Sequence, residues 1–186
     1  MGGGGYNPIM YPPQQFETDR LILRLPRRDD APAMFANYAQ DAEVTRYLTW
    51  RPHKSIEETY SILDLIQKLW RDGEAFSYAI TLKGNESIIG MIAIHADGFK
   101  VSLGYVLACP QWGKGYMSEA ARAVTDWLLR QPDIYCVFAT CDVNNPASAK
   151  VMEKAGMKYE GLLRRHMLHP NVSDEPRDCL MYARVK

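Results

Sequence analysis

Pro110–Arg130 reads PQWGKGYMSEAARAVTDWLLR, and the fold turns on how this stretch is read. Val101–Ala108, VSLGYVLA, precedes it as a short apolar run with the character of a buried strand. Gln111–Tyr116 is a glycine-rich turn, and a helical pattern follows at once. Strand, glycine turn and helix in that order aim several backbone N–H groups at one spot. Those groups have no partner inside the helix, and the helix dipole adds positive character there. Gly113 and Gly115 let the backbone approach a guest closely, because no Cβ stands in the way. The expected guest is an anion, most often a phosphate. The alternative is a plain helix start whose glycines only turn the chain. The preceding strand and the small residues Ser118, Ala120 and Ala121 favour the anion site.

Three nucleotide motifs share this layout. The Walker loop needs Ser or Thr after its lysine, and Lys114 is followed by Gly115. The dinucleotide fingerprint G-x-G-x-x-G is a near miss here, with Gly113, Gly115 and then Ser118. That fold also needs an acidic residue about 20 residues further on, and it does not place its glycine unit behind antiparallel strands. The third option is a coenzyme A pyrophosphate loop.

Several further motifs accompany the loop. The domain opens on Thr18-Asp19-Arg20-Leu21-Ile22-Leu23-Arg24 and carries Gly104-Tyr105 before Trp112-Gly113-Lys114-Gly115-Tyr116-Met117-Ser118-Glu119-Ala120. It closes with Asn145-Pro146-Ala147-Ser148, Glu153-Lys154-Ala155-Gly156-Met157 and Glu160-Gly161. In this order and spacing, from Thr18 to Lys186, the sequence resembles the GNAT superfamily of N-acetyltransferases, and within it the RimJ/RimL-like branch. The family's loop is written Q/R-x-x-G-x-G/A, and this chain has Trp112 and Met117 at the outer positions. The side chain of Met117 must therefore turn away from the phosphates.

The resemblance implies an α/β (α+β) fold in one domain: a mixed, mostly antiparallel, splayed sheet of about seven strands flanked by about four helices. It implies acetyl-CoA as co-substrate, with its pantetheine arm in the gap between the strand carrying Tyr105 and the strand ending near Thr140. Backbone groups around Val106 and Leu107 would pair with that arm. The loop Trp112, Gly113, Lys114, Gly115, Tyr116, Met117 and Ser118 would hold the pyrophosphate, and Asn145 would meet the arm from the far side.

Composition agrees with a single globular domain. The 186 residues suffice for a full core, and 47% apolar with 24% charged is ordinary. A net charge of zero advertises no broad basic surface, so neither nucleic acid nor an anionic membrane is the expected partner. No apolar run has the length of a membrane span, and no signal peptide opens the chain, so the cytoplasm is the expected compartment. Either a monomer or a homodimer fits. Residues 1–15 are rich in Gly, Pro and Tyr without periodicity and read as a flexible arm, with 16–186 as the acetyltransferase domain. Cys109, Cys136, Cys141 and Cys179 match no zinc spacing and read as buried free thiols, although Cys109 sits beside the loop. No metal is expected.

Outward from the loop, Thr18–Pro26 alternates as a half-buried strand. A helix capped by Asp29 or Asp30 runs to about Gln40, and Ser55-Ile56-Glu57-Glu58 is a capping box that opens a second helix. Ala75–Leu82, Ser87–His95 and Phe99–Ala108 are strands joined by hairpin turns. Ile134–Thr140 is a strand parallel to Val101–Ala108, because a helix crosses between them. Asn144 or Asn145 caps the helix that begins at Pro146 and ends at Gly156. Two strands near Lys158–His169 and Arg177–Lys186 finish the sheet.

The chemistry implied is direct attack of an amine on a thioester. The amine must lose a proton, the oxyanion needs an N–H, which the strand near Val106 could supply, and the departing thiolate benefits from a donor. Many family members place a Tyr seven residues after the Asn; here that position is Met152, which cannot donate. Ser148, three after Asn145, is the candidate catalytic acid or thiolate hydrogen-bond donor; the plain reading places it merely in a helix's first turn. His95, His53, Glu119, Tyr105, His166 and a water chain all remain open as the base. The acceptor is a primary amine, either a protein N-terminus or a small molecule. A non-catalytic acyl-CoA-binding protein and, on the near-miss glycine pattern alone, a nicotinamide oxidoreductase are the competing classes.

Overall fold

The computed structural model describes residues 11–186, so most of the expected arm, including Tyr6, Ile9 and Met10, lies outside the described residues. The elements run β1 Gln15–Glu17, β2 Leu21–Arg24, α1 Ala31–Met34, α2 Ala42–Thr45, α3 Ile56–Asp72, β3 Phe76–Leu82, β4 Asn85–Asp97, β5 Lys100–Leu107, α4 Tyr116–Arg130, β6 Cys136–Asp142, α5 Pro146–Lys154, β7 Lys158–Met167 and β8 Arg177–Val185. One sheet holds all eight strands in the order β1-β2-β3-β4-β5-β6-β8-β7. Every neighbouring pair is antiparallel except β5 with β6. The fold is thus the expected mixed sheet, with eight strands where about seven were expected. The extra strand, Gln15–Glu17, starts at the last residue assigned to the arm and pairs with β2.

Two local expectations change. The helix expected to reach about Gln40 is a 3-10 turn at Arg28–Asp30, then α1, then a π turn at Phe35–Ala39. Asp30 anchors its start, bonding buried Arg24 at 2.6 and 2.8 Å and accepting the Arg27 N–H. The capping box before α3 is not reciprocal: Ser55 is the N-cap but its side chain caps no N–H, while Glu58 accepts the N–H of Lys54. Gly73, at φ 72°, ends α3 in the left-handed conformation that a Cβ disfavours.

The strand period of two sends alternate side chains to opposite faces. On β5, Val101 and Leu103, with Tyr105 and Leu107 partly covered, pack in the cluster that α4 and α5 share through Ala120, Val124, Leu128, Ala149 and Met152. Val106 and Ala108 pack on the other face with Tyr38, Leu63, Ile88 and Met91, under α1 and α3. The sheet therefore carries a core on each face, and each core fixes the register of the strands between them.

The feature that shapes the site is where pairing stops. β5 pairs with β6 only from Lys100 to Ser102, opposite Cys136 to Phe138. On their outer sides the two strands stay paired much further, β5 with β4 up to Leu107 and β6 with β8 up to Asp142. Held by different neighbours, β5 and β6 part beyond Ser102 and Phe138.

Asp142 secures the far wall of this opening. It is fully buried, accepts the N–H of Asn144 at 2.8 Å, and pairs with the Arg177 guanidinium through Nε and through Nη2 at 3.1 Å. Burial raises its carboxyl pKa, but Arg177 and the Asn144 N–H outweigh that and hold it below the ordinary range. A depressed folded pKa gives stability above the unfolded value of about 3.9 and loses it as pH falls through the folded pKa. In thermal or urea unfolding, Asp142→Asn should cost about 3 kcal/mol at pH 7, because it leaves the Arg177 charge uncompensated. The gap to the parent should shrink below about pH 4, as Asp142 protonates in the parent.

Candidate active site

Gly113 and Gly115 sit at φ 75° and 81°, and Gly115 is the N-cap of α4. Two left-handed residues in close succession bring the chain into the helix with its amides turned toward one spot. Among the described residues, the N–H groups of Gly113, Lys114, Gly115, Tyr116, Met117 and Ser118 bond no protein acceptor. The first N–H of the helix to find one is Glu119, which donates to the carbonyl of Gly115 at 3.0 Å. A Cβ at Gly113 would meet nothing within 4 Å, so the space over the loop is open. Met117, the unusual loop residue, turns into the core as expected and is 4% exposed. Trp112 pins the other end of the loop, its Nε1 donating to the Leu107 carbonyl at 2.7 Å. Lys114 Nζ donates to Gln111 Oε1 at 3.1 Å, within the same turn.

The loop is also held from outside by residues to which the sequence reading gave no role. Arg20 donates from Nη1 to the Lys114 carbonyl at 3.0 Å and from Nε to Glu119 Oε2 at 2.7 Å, and its guanidinium lies over the Tyr116 ring. Glu119 Oε1 also accepts from the Thr18 hydroxyl at 2.6 Å and from the Arg20 N–H at 3.0 Å. Burial pushes the Glu119 carboxyl up, but Thr18 and Arg20 together hold it below the ordinary range. Glu119 is therefore an ionised anchor, and the general-base role considered for it is not one its partners permit. The only signal in the sequence was the Thr18-Asp19-Arg20 opening, whose partner lies about a hundred residues away.

The walls of the cleft follow from ladder parity. The Ala108 N–H donates to the Ile89 carbonyl, and Gly90 lies opposite Leu107. In an antiparallel pair, bonded and non-bonded positions alternate, so Met91 and Val106 exchange both bonds. Val106 thus uses its N–H and C=O on β4, so of the backbone around Val106 and Leu107 it is the neighbours of Val106 whose groups face the opening. The groups of Tyr105 and Leu107 face the parted side, where the Leu107 carbonyl already takes the Trp112 indole. The N–H groups of Tyr105 and Leu107 are thus the ones that this ladder leaves toward the opening.

On the opposite wall, Asn145 is the N-cap of α5, its Oδ1 accepting the Ser148 N–H at 3.2 Å. Its NH2 group bonds no described residue. Ser148 Oγ lies 2.8 Å from the hydroxyl of Tyr105, so a serine of α5 and a tyrosine of β5 meet across the opening. Met152 is fully buried and fills core volume. Burial pushes the neighbouring Cys141 thiol up to about 11, so it stays protonated and inert at neutral pH. Cys179 is buried too, but Cys136 is only partly covered and Cys109 is exposed, so the reading of four buried thiols holds for two.

The remaining base candidates are scattered. His166 is exposed on edge strand β7. His95 lies on β4 opposite Ser102, and His53 bonds Thr59 through Nδ1 at 2.8 Å beside Trp50. Burial lowers the pKa of both His53 and His95, so each is neutral at pH 7 and able to take a proton. Asn171 ties the β7–β8 loop to the α2–α3 loop, its Nδ2 donating to the carbonyls of Thr45 and Trp50 at 2.8 Å each. Among the described residues, no cluster of His, Cys, Asp and Glu could hold a metal, and no helix is long and apolar enough to cross a membrane.

Residues 20–158 match the family model described as the acetyltransferase (GNAT) domain. The chain belongs to the GNAT acetyltransferase family. A Bacillus subtilis N-acetyltransferase named YoaA is 31% identical over 173 residues, 91% of this chain and 96% of its own. The Escherichia coli [ribosomal protein uS5]-alanine N-acetyltransferase is 25% identical, with 92% of this chain and 91% of its own covered. The structure of RimL, the ribosomal L7/L12 alpha-N-protein acetyltransferase, in complex with coenzyme A superposes with a TM-score of 0.78 at 25% identity, covering 90% of this chain and 95% of that one. This GNAT protein is thus an acetyl-CoA-dependent N-acetyltransferase, as the resemblance implied.

Glu119→Ala should loosen the loop without touching the chemistry. The expected result is a KM for acetyl-CoA about tenfold higher, the loss of roughly one charge-assisted bond, with kcat within about twofold. A kcat reduced about a hundredfold at unchanged KM would instead mark Glu119 as a proton carrier.

Proposed function

We propose that this enzyme acetylates the α-amine of a polypeptide chain in the cytoplasm, and that residues 16–186 form the whole acetyltransferase domain. The observation that carries the reading is the parted β5–β6 pair with six unpartnered N–H groups at its mouth, a slot and an anion cradle in line. In this reading the N–H groups of Gly113–Ser118 hold the coenzyme's pyrophosphate. Its pantetheine arm pairs with the backbone of Tyr105 and Leu107 as an added strand. The NH2 of Asn145 meets an amide carbonyl of the arm, and Trp112, Lys114 and Tyr116 shape the loop.

Chemistry then needs little covalent help. The neutral amine nitrogen attacks the thioester carbonyl, the C–N bond forms and the C–S bond breaks. A proton leaves the nitrogen through water or a neutral imidazole, and one proton ends on sulfur. The Ser148 hydroxyl stabilises the thiolate as it departs. Support for a polypeptide acceptor comes from two relatives, one named for an alanine of ribosomal protein uS5 and one as an alpha-N-protein acetyltransferase of ribosomal L7/L12.

Thiol release from acetyl-CoA in the presence of short peptides tests this. Peptides with a free α-amine should release thiol, and their N-acetylated counterparts should not. The rate should fall as pH drops below the α-amine pKa of about 8, because the ammonium cannot attack. Release with small amines but with no peptide would overturn the polypeptide reading. Binding without release for every amine would favour an acyl-CoA-binding protein.

A further inference from the structure

Tyr105 has two relations to the opening, and the acetyl transfer just described uses only its backbone. Its side chain points to the α4–α5 face of β5, and its hydroxyl reaches the first turn of α5. There it lies 2.8 Å from Ser148 Oγ and 3.2 Å from the Ser148 carbonyl. Both partners belong to one residue, and Oγ is the nearer of the two, which favours the arrangement in which the phenolic proton is donated to Oγ. Burial raises the phenol pKa far above its ordinary value, so Tyr105 keeps that proton at every working pH. Beside Ser148 stands the Cys141 sulfur, and the Ser148 hydroxyl favours the thiolate form of that thiol against the effect of burial. Met152 occupies the place of a donor tyrosine with a buried thioether.

We infer that Tyr105 is the positioning residue of Ser148: its hydroxyl holds Ser148 Oγ as an acceptor, which frees the serine proton to stabilise the coenzyme thiolate across the cleft. This rests on the acetyl-transfer reading of the site. A hydroxyl has one proton and two lone pairs, so a donor on one side fixes where its own proton can point. A donor that itself accepts a bond is also polarised and donates more strongly. Proton balance is unchanged, since the amine proton ends on sulfur by way of solvent while Ser148 and Tyr105 each retain their own. The pair divides the work of one residue: α5 supplies the donor that touches sulfur, and β5 supplies the group that aims it. Because the bond joins the two walls, it also sets the spacing of the slot at the depth of the thioester.

The test reads the bound thiol directly and needs no amine. The thiolate ultraviolet absorbance of bound coenzyme A is titrated in the parent, Tyr105→Phe, Ser148→Ala and the double variant. Each single variant should raise the thiol pKa by about half to one unit, the loss of one hydrogen bond to the charged form. The double variant should match Ser148→Ala, because Tyr105 acts only through Ser148. Tyr105→Leu, a second hydroxyl-free variant, should shift the pKa as Tyr105→Phe does, and Ser148→Thr should restore the low value only when Tyr105 is present. A thiol pKa untouched by Tyr105→Phe, or a double variant shifted further than Ser148→Ala, would overturn the assignment. If peptides then fail as acceptors, the substrate reading fails while this result stands.

Discussion

Two adjacent strands that stop pairing while each remains paired on its outer side are the constraint on which this structure depends. β5 is held by β4 to Leu107, and β6 by β8 to Asp142, yet they meet only at Lys100–Ser102 and Cys136–Phe138. Unpaired backbone inside a protein is costly unless something completes it. In the proposed reading the completing group is the pantetheine arm, an extended ligand with amides of its own. The same parting sends the chain from the end of β5 into the glycine loop, so the anion cradle stands at the mouth of the slot. The slot and the unpartnered loop amides are thus one feature of the fold, and the helices pack around it.

Such an opening must be kept from closing, and each wall has its own fastening. On the β6 side, buried Asp142 gathers the turn before α5 and the start of β8 through Asn144 and Arg177. His169, also buried, lies near the same carboxylate. On the β5 side, Trp112 fixes the loop to Leu107, and the Glu119–Arg20–Thr18 set ties it to the turn between β1 and β2. Between the walls stands the Tyr105–Ser148 contact, at the depth where the thioester would react. Rigid elements thus hold the Tyr105–Ser148 pair, and Asn171 joins the loops beyond them.

What the sequence disclosed and what it concealed divide along physical lines. Local signals were legible: the glycines at 113 and 115, the Asn145 cap, Pro146 at a helix start and the hairpin turns all express conformations that few residues tolerate. The parallel step from β5 to β6 followed from the helix between them. Long-range partnerships were not legible. Nothing near Glu119 says that Thr18 and Arg20 will reach it, and nothing near Asp142 announces Arg177. Strand parity was also hidden, since a run such as VSLGYVLA is apolar at nearly every position. That is why the expectation fell on the backbone around Val106 and Leu107 without resolving which groups face the opening. The strand Gln15–Glu17 was missed because three residues beside a Pro- and Gly-rich stretch carry no period.

The most direct test of the central claim is amide hydrogen exchange read residue by residue, with and without coenzyme A. Without it, the amides of Tyr105 and Leu107 should exchange fast despite lying in a strand, and the Val106 amide, bonded to β4, should exchange slowly. On saturation, Tyr105, Leu107 and Gly113–Ser118 should become protected together, with Val106 unchanged. Protection that appeared at Val106 and bypassed Tyr105, or that never reached the loop, would contradict the account of the parted strands.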